Sequence, residues 1–482
     1  MYKSDKSDKP MKREQILVLG STEPLEIAMI CEKAMSLISE NKTVTVVDLI
    51  TKSTKPLNFY FAERIRLIKT KYLMRALKKY GINIITINTR MQNFSAISNE
   101  LKKLAERAAE MELIAVKRDI KPCRSCTNKQ RIELENTYVR TYLKFEDYLS
   151  SITPEYIYVY NGRFIVGNAC WEFSSFKKLK IHFLEQIVMN KPDKYWVFEE
   201  PVHSTSYRAK TINRYINDTL KNNLKTISES ASEWYSKRIN GTGQSFTSNQ
   251  NISYNNKYLS NKIVSYFTSS EDELILLGLE DSVYGDQKQI SLELAKQFSE
   301  IESIHFVIRL HPNTNHKSSK EIQRWIDFKN YLEDKYNFVE FIDSSSKINT
   351  YSLIKNSKMV ITAGSTVNLE AAYLRIPSVL IGKGLYKDME IAYTPKNYDE
   401  LFSNFSEYLN NDGNSHYENS LKVGAFHNNA GLSYKFVRID GDGRNIEVFK
   451  HKLNNSKLYG LALKFDKIVI ELKSYLLHAI WH

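Results

Sequence analysis

Apolar residues fall into two alternating patterns along most of the chain. Short, β-branched runs bounded by Gly, Ser or Pro read as strands, and stretches with apolar residues three and four apart read as helices. The first run, ILVLGSTEP, ends in a Gly-Ser-Thr turn and is followed by a helical stripe through Ile27, Ile30, Ala34, Leu37 and Ile38. TVTVVDLI then reads as a second strand, 62–80 as a basic helix, and INIITIN (82–88) as a third strand. Helices are predicted over 95–110, 130–150 and 164–176, with YIYVYNG (156–162), LKIHFLE and YWVFEEP as strands. Residues 204–261 lose the rhythm and are rich in Ser, Asn, Thr and Lys, although 208–239 keeps a helical pattern.

The alternation resumes at 262. KIVSYFTS, IHFVIRLHP, FVEFI, KMVITAGST and PSVLIG read as strands. Helices are predicted over SSEDELILLGL, 287–300, 319–335, 349–356, VNLEAAYLR and 397–410. Such apolar strands suit sheets covered on both faces. The tail carries Leu458, Leu461, Phe465, Ile468, Leu472, Leu476 and Ala479 on one helical stripe, with Lys452, Lys457, Lys464, Lys467 and Lys473 nearby. Docking across both domains is the favoured reading of that helix; a membrane surface and an oligomer contact are the alternatives. The expected architecture is α/β: two Rossmann-like, doubly wound domains facing a cleft, with the terminal helix packing across. Its parts are a disordered leader (1–13), an N-terminal Rossmann-like domain (14–203), a linker or flap (204–261), a C-terminal Rossmann-like domain (262–412) and the tail (413–482).

Composition narrows the class. The 482 residues are 42% hydrophobic and 26% charged, ordinary globular usage. No apolar run reaches the roughly 18 residues that a membrane-spanning helix needs, and the polar start has no secretory h-region. A cytoplasmic protein, with peripheral contact to the membrane's inner face as an option, is therefore expected. The 68 basic and 55 acidic residues give a net charge of +13, which suits an anionic partner. Nucleic acid is the reading from another class, but none of the nucleic-acid motifs is present and the aromatics lie within strand-like runs. Four cysteines make no disulfide framework. Cys123 and Cys126 form a lone CxxC that lacks the further ligands zinc requires.

Chemistry concentrates at three strand ends of the second domain. FVIRLHP delivers Arg309 and then His311-Pro312, a charge and an imidazole able to hold a phosphate. The strand at 358–362 runs into Gly364-Ser365-Thr366 and straight into a helix, where N–H groups and hydroxyls attract an anion. Glu370, one turn on, is placed to accept from ribose hydroxyls. Ser269 and Ser270 form a further anion-friendly turn.

This half resembles the nucleotide-sugar domain of GT-B glycosyltransferases, more narrowly capsule-polysaccharide biosynthesis transferases and bacterial sialyltransferases. Their motifs are an acidic pair followed by Gly, then His-Pro, then a Ser/Thr pair. Here these are Glu199-Glu200, followed by Pro201 instead of Gly; His311-Pro312; and Ser365-Thr366, 54 positions after His311. The resemblance covers roughly residues 155–400. It implies nucleotide binding at His311 and Ser365-Thr366, with CMP the first guess, and Glu199 as general base with Glu200 beside it. His203 is the nearby alternative base. Glu23, Arg163 and His203 are the candidate acceptor contacts. The implied reaction moves a CMP-activated Kdo or other nonulosonate to a surface glycan or glycolipid, without a bound metal or cofactor. UDP-sugar or CDP-polyol transfer is the alternative within the fold.

Overall fold

The computed structural model describes residues 14–50, 60–87, 97–117, 122, 124–186, 194–201, 203–241, 250–255, 262–279, 283–440, 445–448 and 451–452. Its first part runs β1 (Glu14–Leu19), α1 (Pro24–Ser39), β2 (Thr43–Asp48), α2 (Tyr60–Lys78), β3 (Asn83–Thr86), α3 (Asn99–Lys117), α4 (Arg124–Leu149), β4 (Pro154–Tyr160), α5 (Ile165–Phe176), β5 (Ile181–Gln186) and β6 (Lys194–Phe198). β1 to β5 are parallel and lie in the order β3-β2-β1-β4-β5. The chain starts in the middle, winds one way, then returns and winds the other way. This is the doubly wound arrangement, and its switch point lies between β1 and β4.

Two helices follow, α6 (Thr205–Asp218) and α7 (Leu224–Ile239). They are not a flap. Ile212, Ile216, Ile227, Ala231, Trp234 and Tyr235 are buried in the core against the first sheet. Their polar composition belongs to the outer faces, which is why the stretch lost its apparent rhythm.

The second part runs β7 (Lys262–Phe267), α8 (Glu271–Leu276), α9 (Gln287–Phe298), β8 (Ile304–Arg309), α10 (Ser319–Lys335), β9 (Val339–Ile342), α11 (Thr350–Asn356), β10 (Met359–Thr362), α12 (Val367–Tyr373), β11 (Ser378–Leu380), α13 (Tyr398–Ser403) and α14 (Phe405–Asn410). All five strands are parallel, in the order β9-β8-β7-β10-β11. The same winding recurs, with its switch point between β7 and β10. Every residue of β8 is buried, as a central strand covered by helices on both faces demands. The two doubly wound α/β units expected for a GT-B fold are both present.

α15 (Tyr417–Asn429) then crosses back to the first unit. It packs along α7 and against α12 and α6. Gly424 permits the closeness: a Cβ there would lie 2.6 Å from the Tyr235 ring. The short β12 (Leu432–Ser433) adds to the first sheet beside β6, and β13 (Val437–Asp440), β14 (Asn445–Val448) and β15 (His451–Lys452) form a small antiparallel sheet. Glu32 of α1 accepts the backbone N–H groups of Lys435, Phe436 and Val437, tying this return segment down. Packing across the units is thus performed by α15; the helix predicted over 458–479 lies outside the described residues. No described helix is long and apolar enough to cross a membrane.

Candidate functional site

β7, β8 and β10 end side by side at the second switch point. Each is followed by a polar turn, and the three turns surround one cavity of about 240 Å³. Arg309, His311, Pro312, Gly364, Ser365, Thr366, Glu370, Ser269 and Ser270 all line it. Ser269 and Glu370, 101 positions apart, meet there because parallel strands of one sheet finish at one edge.

Hydrogen bonds tie the turns together. The His311 N–H donates to Thr268 Oγ1 (2.8 Å), and the Thr268 hydroxyl lies 3.3 Å from the Arg309 carbonyl. Asn313 Nδ2 donates to Glu273 of α8 (2.8 Å). Gln287 holds the Ser269 backbone through both its N–H and C=O. Lys317 sits 3.7 Å from Glu271 and 3.8 Å from Asp272, fixing the start of α8 beside the cavity. Gly364 has φ +84°, and a Cβ there would lie 2.7 Å from Leu274 and 2.9 Å from the Lys383 carbonyl. Glycine lets the β10 turn lie flat against α8.

The charge state of the cavity follows from burial. Burial and the Lys317 ammonium push the His311 imidazole down to about 4, so it is neutral near pH 7. Its Nδ1 accepts the Asn313 N–H (3.2 Å), which leaves the proton on Nε2 and makes that nitrogen a donor. Arg309 is pushed down to about 10 by burial, with Asp343 opposing, and stays cationic at neutral pH. Its Nη2 donates to the Ser346 carbonyl (3.3 Å). Among the described residues, Arg309 Nη1 and Ser269 Oγ are buried without a hydrogen-bond partner. Such buried donors are costly unless something fills their valence. Ser365 Oγ accepts from the Val367 N–H (3.3 Å) and so shapes the turn while keeping its own hydroxyl proton.

The connection supplies residues that its sequence pattern did not flag. Arg238 of α7 reaches the cavity wall and donates through Nε to Glu370 Oε1 (2.7 Å), with Nη2 on the same oxygen. The pair is buried, and its guanidinium also lies 4.8 Å over Trp234. Glu370 therefore presents only Oε2, which is buried and unpartnered among the described residues, to any ribose. A lone arginine in a polar stretch carries no sequence signal for such a role.

A second cavity of about 390 Å³ opens at the carboxyl ends of β1 and β4. Gly20, Ser21, Thr22, Glu23, Glu26, Glu112, Thr137, Tyr160 and Phe164 are on its wall. Glu23 lies 3.6 Å from Arg66. Glu26 was not singled out from the sequence, being masked by its place in the first turn of an apolar helix. Its two oxygens accept the Gly20 N–H (2.6 Å) and the Ser21 hydroxyl (2.6 Å). Burial nevertheless pushes its carboxyl up to about 7. α3 lines this cavity through Glu112 and packs against α8, which flanks the first cavity. The contact between α3 and α8 thus links the walls of the two cavities.

Other candidates are placed elsewhere. β6 runs antiparallel to β5, so its exit turns toward the amino edge of the first sheet. Glu199 and Glu200, expected as the base, line neither of these two cavities. The Glu199 N–H donates to Tyr207 Oη (2.9 Å), and Glu200 accepts from the Ser204 hydroxyl (2.6 Å). Arg163 lies 3.6 Å from Glu185. His203 packs edge-on to Trp171 (6.2 Å), its imidazole held below the ordinary range by burial and the neighbouring arginines. Neither Arg163 nor His203 lines either cavity. Cys126 is exposed, and Cys123 lies outside the described residues.

No protein-family model and no curated protein matches the chain. Solved structures similar to it include the β-Kdo 2,4-transferase KpsC of Thermosulfurimonas dismutans, at 12% identity over 57% of this chain and 80% of that chain, TM-score 0.36. MnaA of S. aureus with UDP is similar at 11% identity over 85% and 91% of the two chains, TM-score 0.29. The UDP-GlcNAc 2-epimerase of Methanocaldococcus jannaschii, in complex with UDP-GlcNAc and UDP, is similar at 10% identity over 85% and 98%, TM-score 0.28. Likenesses this distant transfer no function, and the chemistry must come from the site's own groups.

Proposed function

We propose that the chain is a GT-B glycosyltransferase whose second unit holds the nucleotide of a sugar donor. The observation that carries this reading is the convergence of three polar strand-end turns on one cavity. Its donors are Arg309, the Nε2–H of a neutral His311 and the hydroxyls of Ser269, Ser365 and Thr366. Such fixed donors in a buried site stabilise the negative charge that develops on a departing phosphate. Glu370 Oε2 offers an acceptor for ribose hydroxyls.

In the reaction, an acceptor hydroxyl oxygen attacks the anomeric carbon and forms the new C–O bond. The bond from that carbon to the phosphate oxygen breaks, and its electron pair leaves with the nucleotide. The hydroxyl proton goes to a carboxylate, which must be within hydrogen-bond reach. Glu26 and Glu23, on the wall of the first unit's cavity, are better placed for this than Glu199 or Glu200. A CMP-activated nonulosonate, such as Kdo, is the preferred donor, with a surface glycan or glycolipid as acceptor. UDP-sugar and CDP-polyol transfer use the same phosphate contacts.

Thermal unfolding with CMP, CDP, UDP and a single-stranded oligonucleotide tests the reading. At least one nucleotide should raise the midpoint by binding the native state alone, while the oligonucleotide should not. A shift with the oligonucleotide and with none of the nucleotides would place the protein among nucleic-acid binders.

A further inference from the structure

Between Arg64 and Tyr80 the sequence holds seven Lys or Arg residues and no Asp or Glu. This is the body of α2. Its inner face is fixed: Leu73, Met74 and Leu77 are buried in the core above β2 and β3, and Thr70 is buried beside them. The opposite face carries Arg64, Ile68, Lys71, Tyr72, Arg75, Lys78 and Lys79, all exposed. Ile68 and Tyr72 are one turn apart, so their side chains are neighbours, and they are 68% and 58% exposed. Scattered exposed apolar residues are ordinary. Here an aliphatic and an aromatic side chain stand together at the centre of a cationic stripe on a helix whose orientation the core has already set.

We propose that this face of α2 docks on a bilayer surface containing anionic phospholipid. A helix with a cationic rim and a short apolar centre lies in the interface plane, its apolar side chains entering the headgroup and acyl boundary. Each Lys or Arg near an anionic surface adds to the attraction. Tyr72 suits the headgroup level, where an apolar ring and a polar hydroxyl are both satisfied. Nucleic acid would use the cations but would gain nothing from Ile68.

The position of the helix gives the contact a consequence. Arg66, on the flank of α2, lies 3.6 Å from Glu23, and Glu23 is on the rim of the first unit's cavity. Docking through α2 brings that cavity's mouth close to the lipid surface, where an acceptor carried on a lipid could enter. This consequence rests on the glycosyltransferase reading; the lipid contact does not.

Cosedimentation of the full chain with vesicles tests the proposal. Wild type should bind phosphatidylcholine vesicles containing phosphatidylglycerol and not vesicles of phosphatidylcholine alone. Lys71→Glu with Arg75→Glu should weaken that binding by at least roughly tenfold. Ile68→Ser with Tyr72→Ser should weaken it by roughly tenfold while leaving the charge unchanged. All four sites are exposed, and unchanged circular dichroism would show the fold intact. The proposal would be overturned by no binding to the anionic vesicles, by equal binding to both kinds, or by binding undiminished in either double variant. Charge variants that lose an oligonucleotide, while Ile68→Ser with Tyr72→Ser leaves vesicle binding unchanged, would give the face to nucleic acid. Calorimetry of wild type with CMP and UDP judges the glycosyltransferase reading separately.

Discussion

At the scale of single residues, burial decides what the titratable groups do. Glu26 shows this most plainly. Its carboxyl is pushed up to about 7 by burial, despite two hydrogen bonds that favour the anion. In the unfolded chain the group ionises near its ordinary value. Below that value it is protonated in both states and costs nothing. As pH rises toward 7 the unfolded state loses the proton first, so this group's contribution to stability falls. Above about 7 the folded state carries the whole penalty, about 3 kcal/mol at 1.36 kcal/mol per pKa unit. Glu26→Gln should therefore melt above wild type at pH 8 and close to it at pH 4.5. Equal melting at both pH values would show that the carboxyl is solvated. If Glu26 also takes the acceptor's proton, the same variant should lose transfer by roughly 10²–10⁴-fold while keeping nucleotide affinity.

Elements decide which residues meet. The turn after β10 was legible as a Gly-Ser-Thr motif, but its partnership with α8 was not, because a six-residue helix leaves little periodic signal. Gly364 carries that partnership. Gly364→Ala should destabilise the protein by about 2–4 kcal/mol, roughly 1 from its positive φ and the rest because both Leu274 and the Lys383 carbonyl stand in the way. Gly81 has a similar φ of +83° but nothing within 4 Å of the added carbon. Gly81→Ala should cost only the conformational term, about 1 kcal/mol. Parallel thermal melts of the two variants would separate clash from backbone strain, and equal losses would refute the packing argument. Strand direction is the other lesson at this scale. YWVFEEP is readable as a strand, and its acidic pair takes the role of base only through the resemblance to the acidic-pair motif of capsule and sialyltransferase enzymes. The sequence of a short strand does not encode its direction. β6 is antiparallel to β5, and Glu199 and Glu200 beyond its end line neither of the two cavities.

At the scale of the whole molecule, the two α/β units were legible because their strands are short, apolar and β-branched, and because helices separate them at regular intervals. The crossing by α15 was not. Its apolar residues are interrupted by Gly424 and by asparagines whose partners lie in α7, nearly 200 positions away. The same long-range packing turned 205–239 from an apparent linker into core and brought Arg238 to Glu370. The turns at His311 and Ser365-Thr366 were readable because each is a local motif at a strand end; the shared cavity needed only the rule that parallel strands end together. That cavity is the centre of the account, and titration calorimetry with CMP and UDP on wild type and His311→Ala tests it most directly. His311 offers one N–H to a charged phosphate, worth roughly 1.5–3 kcal/mol. One nucleotide should bind wild type with one-to-one stoichiometry, and the variant, folded, should bind it roughly ten- to a hundredfold more weakly. Affinity unchanged in His311→Ala, or binding of neither nucleotide to wild type, would contradict the account.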